Sequence, residues 1–532
     1  MTAQAPAEPA ERAPAYNLLD EPWLPVRYLD GSTETLGLLA LFERAAQIEG
    51  LAETSPPNLV AMKRLLLAIT HRALSRRLGR WTDRDRAGWH AQGLPGGVVA
   101  DYLMHWRDRF WLFHNDHPFM QVAALASAAE TRDKLKPWTQ VALSSANGDT
   151  PVVFDHAIDR KPVAVDAAEV LRHMLGFQQF VPGGLVQVFK VADKGGPLAN
   201  AAAAIPVGDS LLQSLLLALH PAPDEQGHDL PAWERPAVAV AQLLADPKPA
   251  TGCCDRYTRL SRAVLLLPDQ AASRPSVRWL RFGAGTALLE DDNAPDPMAS
   301  FRPGSDGLVR MGFTEGRAMW RDLGALLPDV TGKLAQPAAV LNWAANLHVA
   351  RNAWDADQAV MLAGLCSNKA KLVRWRAELY RLPVSSLSEA DLGAAVRNQL
   401  QRCDDLFYPL RTLAADLLAQ TMPDPSSKDT RARARAVLDA SPFGPTFFAA
   451  AERRLPRLLA LLGTTELAAA HLEWSAALLQ AAQGAWAAAR AMLGTSGTAL
   501  RADALTHGRF LALIHPLRPA IAPPHLAKEA TP

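Results

Sequence analysis

Neither sign of charge is in excess: 55 lysines and arginines face 54 aspartates and glutamates in a chain of 532 residues. That balance excludes a protein steered as a whole onto nucleic acid or an anionic membrane, so any DNA contact must be local or shared with partners that carry the field. Cysteine is scarce. Cys253, Cys254, Cys366 and Cys403 are too few and too irregularly spaced for the disulfide framework of a secreted domain, and they fit a reducing cytoplasm. Adjacent Cys253 and Cys254 lack the C-x-x-C spacing that converges two thiolates on a tetrahedral ion, and no matching His pair lies near them in the sequence. Neither a metal nor another cofactor is expected. Long apolar runs are also missing. The Ala/Leu-rich stretches near the C-terminus are broken by Arg, Glu and Gln every few turns, so no membrane span is expected. Met1 to Ala15 has neither the basic start nor the apolar core of a signal peptide and reads as a disordered tail.

What the chain does have is globular composition, with 49% apolar and 20% charged residues. Its length favours more than one domain. From Asn17 to about Leu260, short apolar runs alternate with Pro/Gly punctuation and a few helical stretches, a mixed α/β pattern. Asn58 to Arg77 carries Leu59, Met62, Leu65, Leu66, Ile69 and Leu74 at helical spacing, which predicts a helix with one face inward that starts at Pro56 and Pro57. Ala263 to Leu267 and Val277 to Phe282 read as two strands, and Asp291 to Gly307 as loop.

After Gln336 strand signals largely stop and helical periodicity takes over, which places a domain boundary between Leu382 and Ser388. A seam from Leu392 to Leu417 opens on the capping-box spacing Ser388-Glu389-Ala390-Asp391, and Pro409 inside it predicts a kink or a break. Three further helices are expected over Pro442–Leu462, Glu466–Leu493 and Thr498–His515, with Gly463 and Gly494 as C-caps. The predicted fold class is therefore α+β: a large irregular α/β domain over 16–385, a four-helix bundle over 386–516, and a tail over 517–532.

The residues do not spell out an enzyme. Thr331-Gly332-Lys333 lacks the upstream glycine and the following hydroxyl of a phosphate loop. His228-Asp229 lies in a Pro-rich loop without the companion ligands of a metal-dependent nuclease. His114, Asp116 and His117 stand among Phe110, Trp111, Phe113 and Phe119, where such polar groups more often satisfy backbone atoms in a packed segment than perform acid/base chemistry.

Several runs, taken together and in order, resemble the CasA family, the large subunit of type I-E CRISPR Cascade complexes. They include Asn17-Leu18-Leu19-Asp20-Glu21-Pro22-Trp23-Leu24-Pro25-Val26-Arg27, His117-Pro118-Phe119-Met120-Gln121, Val153-Phe154-Asp155-His156 and Gly176-Phe177-Gln178-Gln179-Phe180. Trp320-Arg321 and Gly364-Leu365-Cys366-Ser367-Asn368-Lys369-Ala370-Lys371 complete the set. The resemblance implies a non-catalytic cytoplasmic subunit that checks the protospacer-adjacent motif on duplex DNA, starts strand separation and recruits a helicase-nuclease. Its implied partners are the guide RNA, the backbone, 5′-handle-binding and small Cascade subunits, the target duplex and that effector, with no membrane.

The same resemblance implies the site residues. Asn147 to His156, with Phe154 as the anchoring aromatic followed by Asp155 and His156, is similar to the loop that docks near the guide's 5′ end. Gly183 and Gly184, after Pro182, are similar to the glycine loop that approaches the motif, where absence of Cβ permits close contact. Arg262, with Arg259 nearby and Ala263 the alternative register, matches a basic finger that enters the minor groove. Asn368-Lys369 stands where the family carries an Asn-Gln wedge. Lysine can wedge and reach phosphate, but as a flexible point charge it discriminates bases less than an amide. The rival readings are a ribonucleoprotein scaffold that docks RNA only and an enzyme with an unrecognised site. The first predicts no duplex binding, the second a pocket of converging titratable groups.

Overall fold

The computed structural model describes residues 15–143, 161–223, 227–270, 274–368 and 371–518. The chain divides into two compact units, one made of 1–326 and 331–381, the other of 327–330 and 382–532.

The first unit is built around the helix Pro56–Leu78, which starts with prolines in its first turn and ends at Gly79 in a positive-φ conformation. The periodicity predicts one inward face, yet the helix is buried on nearly every side, Lys63, Arg64 and Arg72 included. Those charges are tolerated where they are paired. Arg64 meets Asp296 at 2.6 Å with both side chains fully shielded, and Arg72 forms a bidentate pair with Glu234 at 2.8 and 2.7 Å. The helix Ala167–Phe180 packs against it, and Gly176 makes the approach possible: a Cβ there would lie 2.4 Å from Asn58 Oδ1.

Around these helices the sheets are small. Arg262–Pro268 and Ser276–Ala284 pair antiparallel, as the two apolar runs predict, and the second strand also takes on Lys136–Pro137 and Val165–Asp166. A second sheet has the order Ala202–Val207, Asp357–Asn368, Lys371–Pro383. Its last two strands, of 12 and 13 residues, correct the expectation that strand signals stop after Gln336. They are rich in Ala, Leu and Arg, which read as helix formers, and sheet pairing, of the first with Ala202–Val207 and of the second with the first, overrides that propensity. The stretch Asp291 to Gly307 is likewise not all loop, since Phe301–Gly304 pairs with Gly307–Arg310 in a short hairpin.

The second unit is helical. Ala390–Ala419 runs for 30 residues through Pro409 without a break. Proline in a helix interior costs about 3 kcal/mol. Burial of Leu406, Phe407, Leu410 and Leu413 along the same stretch offsets this at roughly 1.5–3 kcal/mol per side chain. The expected rod Pro442–Leu462 is two helices, Phe443–Glu452 and Leu455–Gly463, the second starting with Pro456 in its first turn. A further helix, Lys428–Asp439, was not expected from the sequence: its polar text buries only Ala434 and Leu438. Leu467–Ala491 and Gly497–Ile514 complete the unit, joined across their faces by Trp486 stacked on Phe510 at 4.6 Å. The elements expected as four rods are thus six helices longer than five residues among the described residues.

Candidate nucleic-acid interface

The glycine turn follows the C-terminal end of Ala167–Phe180. Pro182, Gly183 and Gly184 are exposed, and the chain then forms a hairpin of Gly184–Val188 with Lys190–Asp193. Gly183 is glycine for a packing reason as well: a Cβ would meet the amide nitrogen of Gly195 at 3.1 Å and the carbonyl of Asp193 at 3.4 Å. The turn is therefore open to solvent on one side and close-packed on the other.

Arg262 lies beneath it. The resemblance implies a finger that projects, but the residue is 3% exposed. Its guanidinium donates to the carbonyls of Pro182 at 2.9 Å, Lys194 at 2.7 Å and Ser261 at 2.7 Å, with Asp193 Oδ2 at 3.6 Å. Burial lowers its pKa from the usual guanidinium value, and the Asp193 carboxylate opposes that shift. Asp193 in turn accepts from the Gly285 amide at 2.8 Å. The Gln178 side chain fixes the Arg262 backbone from the helix side, accepting from its N–H at 2.9 Å and donating to its carbonyl at 2.8 Å. The correction has a plain cause: carbonyls of an irregular loop need donors, and a guanidinium supplies several in one plane. Arg262 braces the turn instead of entering a groove. Arg259 is also buried, bonded to Asp255 at 2.8 Å and to the Pro249 carbonyl.

The strand pair 357–383 reaches the same neighbourhood. Phe180, three residues before Gly183, meets Trp375 edge to face at 5.5 Å and 82°. Asn368 ends the first of these strands, while Lys369 at the connection lies outside the described residues. Asn147, Phe154, Asp155 and His156 also lie outside them. Of the expected site, then, the structure brings together Gly183, Gly184 and Arg262, with the strand pair that carries Asn368 reaching Phe180 through Trp375.

Two neighbours went unnoticed in the sequence: Leu185 and Val191, on facing strands of the hairpin beside the turn, are 75% and 76% exposed. Alternation in so short a run gave no signal for them.

The other candidates settle into structural roles. His114 Nδ1 accepts from the amides of Asp116 and His117 at 3.0 Å each, and His117 Nδ1 faces Arg109 at 2.7 Å. His117 lines a cavity of about 460 Å³ with Arg109, Trp233, Arg235, Asp255 and Arg259, in which the Asp255 carboxylate is held by both flanking arginines. Asp229 accepts from the amides of Cys254 and Asp255 at 2.8 Å each and so anchors the short helix Cys253–Tyr257. Among the described residues no helix is long and apolar enough to cross a membrane.

The fold of an α/β unit followed by a helical unit is shared with solved structures of CRISPR-associated proteins. The profile of the CRISPR-associated protein Cse1 family matches residues 17–485, and the chain belongs to that family. It is 32% identical over 510 residues to the CasA/Cse1 protein of Thermus thermophilus, covering 94% of this chain and 97% of that one. The solved structure of Thermus thermophilus CasA (Cse1) superposes with a TM-score of 0.79 at 29% identity, over 95% of this chain and 100% of that one. A chain of a CRISPR RNA-guided surveillance complex shares the fold, with a TM-score of 0.71 at 19% identity over 94% of this chain and 100% of that one.

Proposed function

We propose that this chain is the DNA-checking large subunit of a guide-RNA-directed CRISPR surveillance complex of the Cascade type, acting by contact and not by catalysis. The observation that carries the reading is the exposed glycine turn at Gly183 and Gly184, braced from below by Arg262 and flanked by the base of the 357–383 strand pair.

Each part has a task on duplex DNA. A turn without Cβ atoms lets backbone amides approach phosphates and base edges more closely than a side chain allows. A rigid brace keeps that turn from reorganising on contact, which lowers the entropy cost of binding. Asn368 and Lys369 engage the protospacer-adjacent motif and part the first base step, the lysine through phosphate attraction and bulk. Leu185 and Val191 present the kind of apolar surface that partially unstacks a base step. Asn147, Phe154, Asp155 and His156 dock the subunit near the guide's 5′ end and the neighbouring Cascade subunits. Strand opening then exposes the target to the guide, and the helicase-nuclease is recruited to the opened complex.

Near-zero net charge fits a subunit that borrows affinity from its complex. The test is a duplex-binding titration of the guide-loaded complex with and without this subunit, on targets that differ only in the flanking motif. Omission is expected to abolish motif-dependent binding. Unchanged binding would leave an RNA-docking scaffold in its place.

A further inference from the structure

We propose that His71, His220 and Cys254, with Asp229 as fourth donor, form a buried site for a zinc-class divalent cation that ties three separate segments of the first unit together. The inference does not depend on the DNA-checking role.

The three donors come from the helix Pro56–Leu78, the residues just after Leu211–Ala218, and the short helix Cys253–Tyr257. All three residues are buried, and their ligand atoms lie within 4.8 Å of one another. Cys254 Sγ is 3.6 Å from His71 Nδ1 and 3.7 Å from His220 Nε2. A tetrahedral ion with Zn–S near 2.3 Å and Zn–N near 2.05 Å requires S···N edges of about 3.5–3.6 Å, so both edges are already close to the liganded length. Asp229 lies outside that group of three and is the carboxylate next to it. Its Oδ2 accepts from the Cys254 amide at 2.8 Å and stands 4.0 Å from His220 Nε2.

The surroundings favour a ligand over a packed core. His71 Nε2 is 2.9 Å from the Pro221 carbonyl, and donation there leaves Nδ1 with its lone pair toward the thiol, the outer contact by which metal-bound imidazoles are oriented. His220 is 5% exposed, and the ring nitrogen it turns toward the Cys254 thiol is Nε2. The two imidazoles are stacked at 3.5 Å and 14°. Ligation of one ion by both rings requires them to rotate out of that stack, since each must point an in-plane lone pair at it.

Charge also balances. Cation binding displaces the Cys254 thiol proton to solvent, and thiolate plus Asp229 carboxylate neutralise a divalent ion that two neutral imidazoles complete, so no net charge is buried.

The mechanical consequence concerns the short helix Cys253–Tyr257, whose C-terminal neighbour is the strand beginning at Arg262. A cation would fix that helix to the central one through Cys254 and His71.

The experiment is metal analysis of the full-length chain equilibrated with zinc and desalted, alongside Cys254→Ser, His220→Gln and, as a control, Cys403→Ser in the second unit. Cobalt loading of the same proteins reads out thiolate ligation by its charge-transfer absorption. Expected are about one zinc per chain and a thiolate–cobalt band in the wild type and in Cys403→Ser, both lost in the two cluster variants. Circular dichroism checks folding. Should the cluster variants misfold, competition of the wild type against a chromophoric zinc chelator decides. Wild-type protein that takes no zinc from the chelator, or Cys254→Ser that retains full zinc, would overturn the site.

Discussion

The interiors of the two units are held by different chemistry. In the first, arginines reach inward: Arg64 to Asp296, Arg72 to Glu234, Arg86 to the carbonyls of Leu216 and Trp343, and Arg262 to Pro182 and Lys194. In the second, the core is Leu, Ala, Phe and Trp, and ion pairs such as Arg411 with Asp439 and Arg509 with Asp416 stay at the surface, while Arg397 turns inward, to the carbonyls of Leu327 and Pro328 in the unit's short non-helical piece 327–330. Regular helices satisfy their own carbonyls, so their contacts can be purely apolar. Irregular chain leaves carbonyls facing inward, and the guanidinium is the side chain with enough donors to meet them. The loops that the first unit can hold rigid in this way are where a binding surface can be placed.

The sharpest way to break this contrast is Arg64→Ala, which strands the Asp296 carboxylate in a dry interior. Loss of one partner of a buried pair is expected to cost roughly 3–5 kcal/mol. Hydrogen exchange should show the loss in the helix Pro56–Leu78 while Ala390–Ala419 keeps its protection. Protection lost equally in both would mean that the two interiors are not distinct.

In the helical unit the comparable injury is apolar. Leu410→Ala leaves a cavity and should cost about 3 kcal/mol in chemical denaturation. Arg262→Ala removes donors from three carbonyls and is expected to cost about 2 kcal/mol. It should also make the 182–196 segment more sensitive to protease and weaken motif-dependent DNA binding. Retained binding with a loosened turn would separate brace from function. At the surface, Arg411→Ala should change stability by no more than about 1 kcal/mol, despite its two contacts with Asp439.

Acid sharpens the contrast in a different way. His90, in the first unit, is lowered from 6.5 to about 4 by desolvation first and by Arg351 second. A folded pKa below the unfolded one means that the unfolded chain binds the proton first. The stability it confers is present above pH 6.5 and lost as pH falls toward 4. His90→Gln should therefore flatten the acid limb of the stability profile, measured by thermal melts across that range. An unaltered limb would show that other groups set it.

Parts of this architecture were legible and parts were not, for identifiable reasons. The helix Pro56–Leu78 and the strands from Arg262 and Ser276 follow apolar patterns that local physics reads directly. The long strands Asp357–Asn368 and Lys371–Pro383 did not, because Ala, Leu and Arg carry helical propensity and only pairing makes them extended, the first with Ala202–Val207 and the second with the first. Lys428–Asp439 was hidden by its polar text.

At the site, Gly183 and Gly184 stood out through family resemblance alone, since a glycine pair after proline is an ordinary turn. Arg262 was visible as a charge, but the carbonyls that capture it belong to residues 182 and 194, 80 and 68 positions away. His71 and His220 lie 183 and 34 positions from Cys254, so no spacing rule brings them together.

The central claim is that the braced glycine turn is the surface that meets DNA. The most direct test compares complexes reconstituted with wild type, Gly183→Ala and Gly183→Asp on duplexes with and without the flanking motif. Both variants add the same Cβ against Gly195, so the difference between them reports the carboxylate, its charge and bulk together, at the exposed turn. The account predicts intact assembly for both, and motif-dependent affinity that falls at least about tenfold further for Asp than for Ala, since an added carboxylate would stand beside phosphate. Equal, wild-type-like affinity in the Gly183→Asp complex would contradict it.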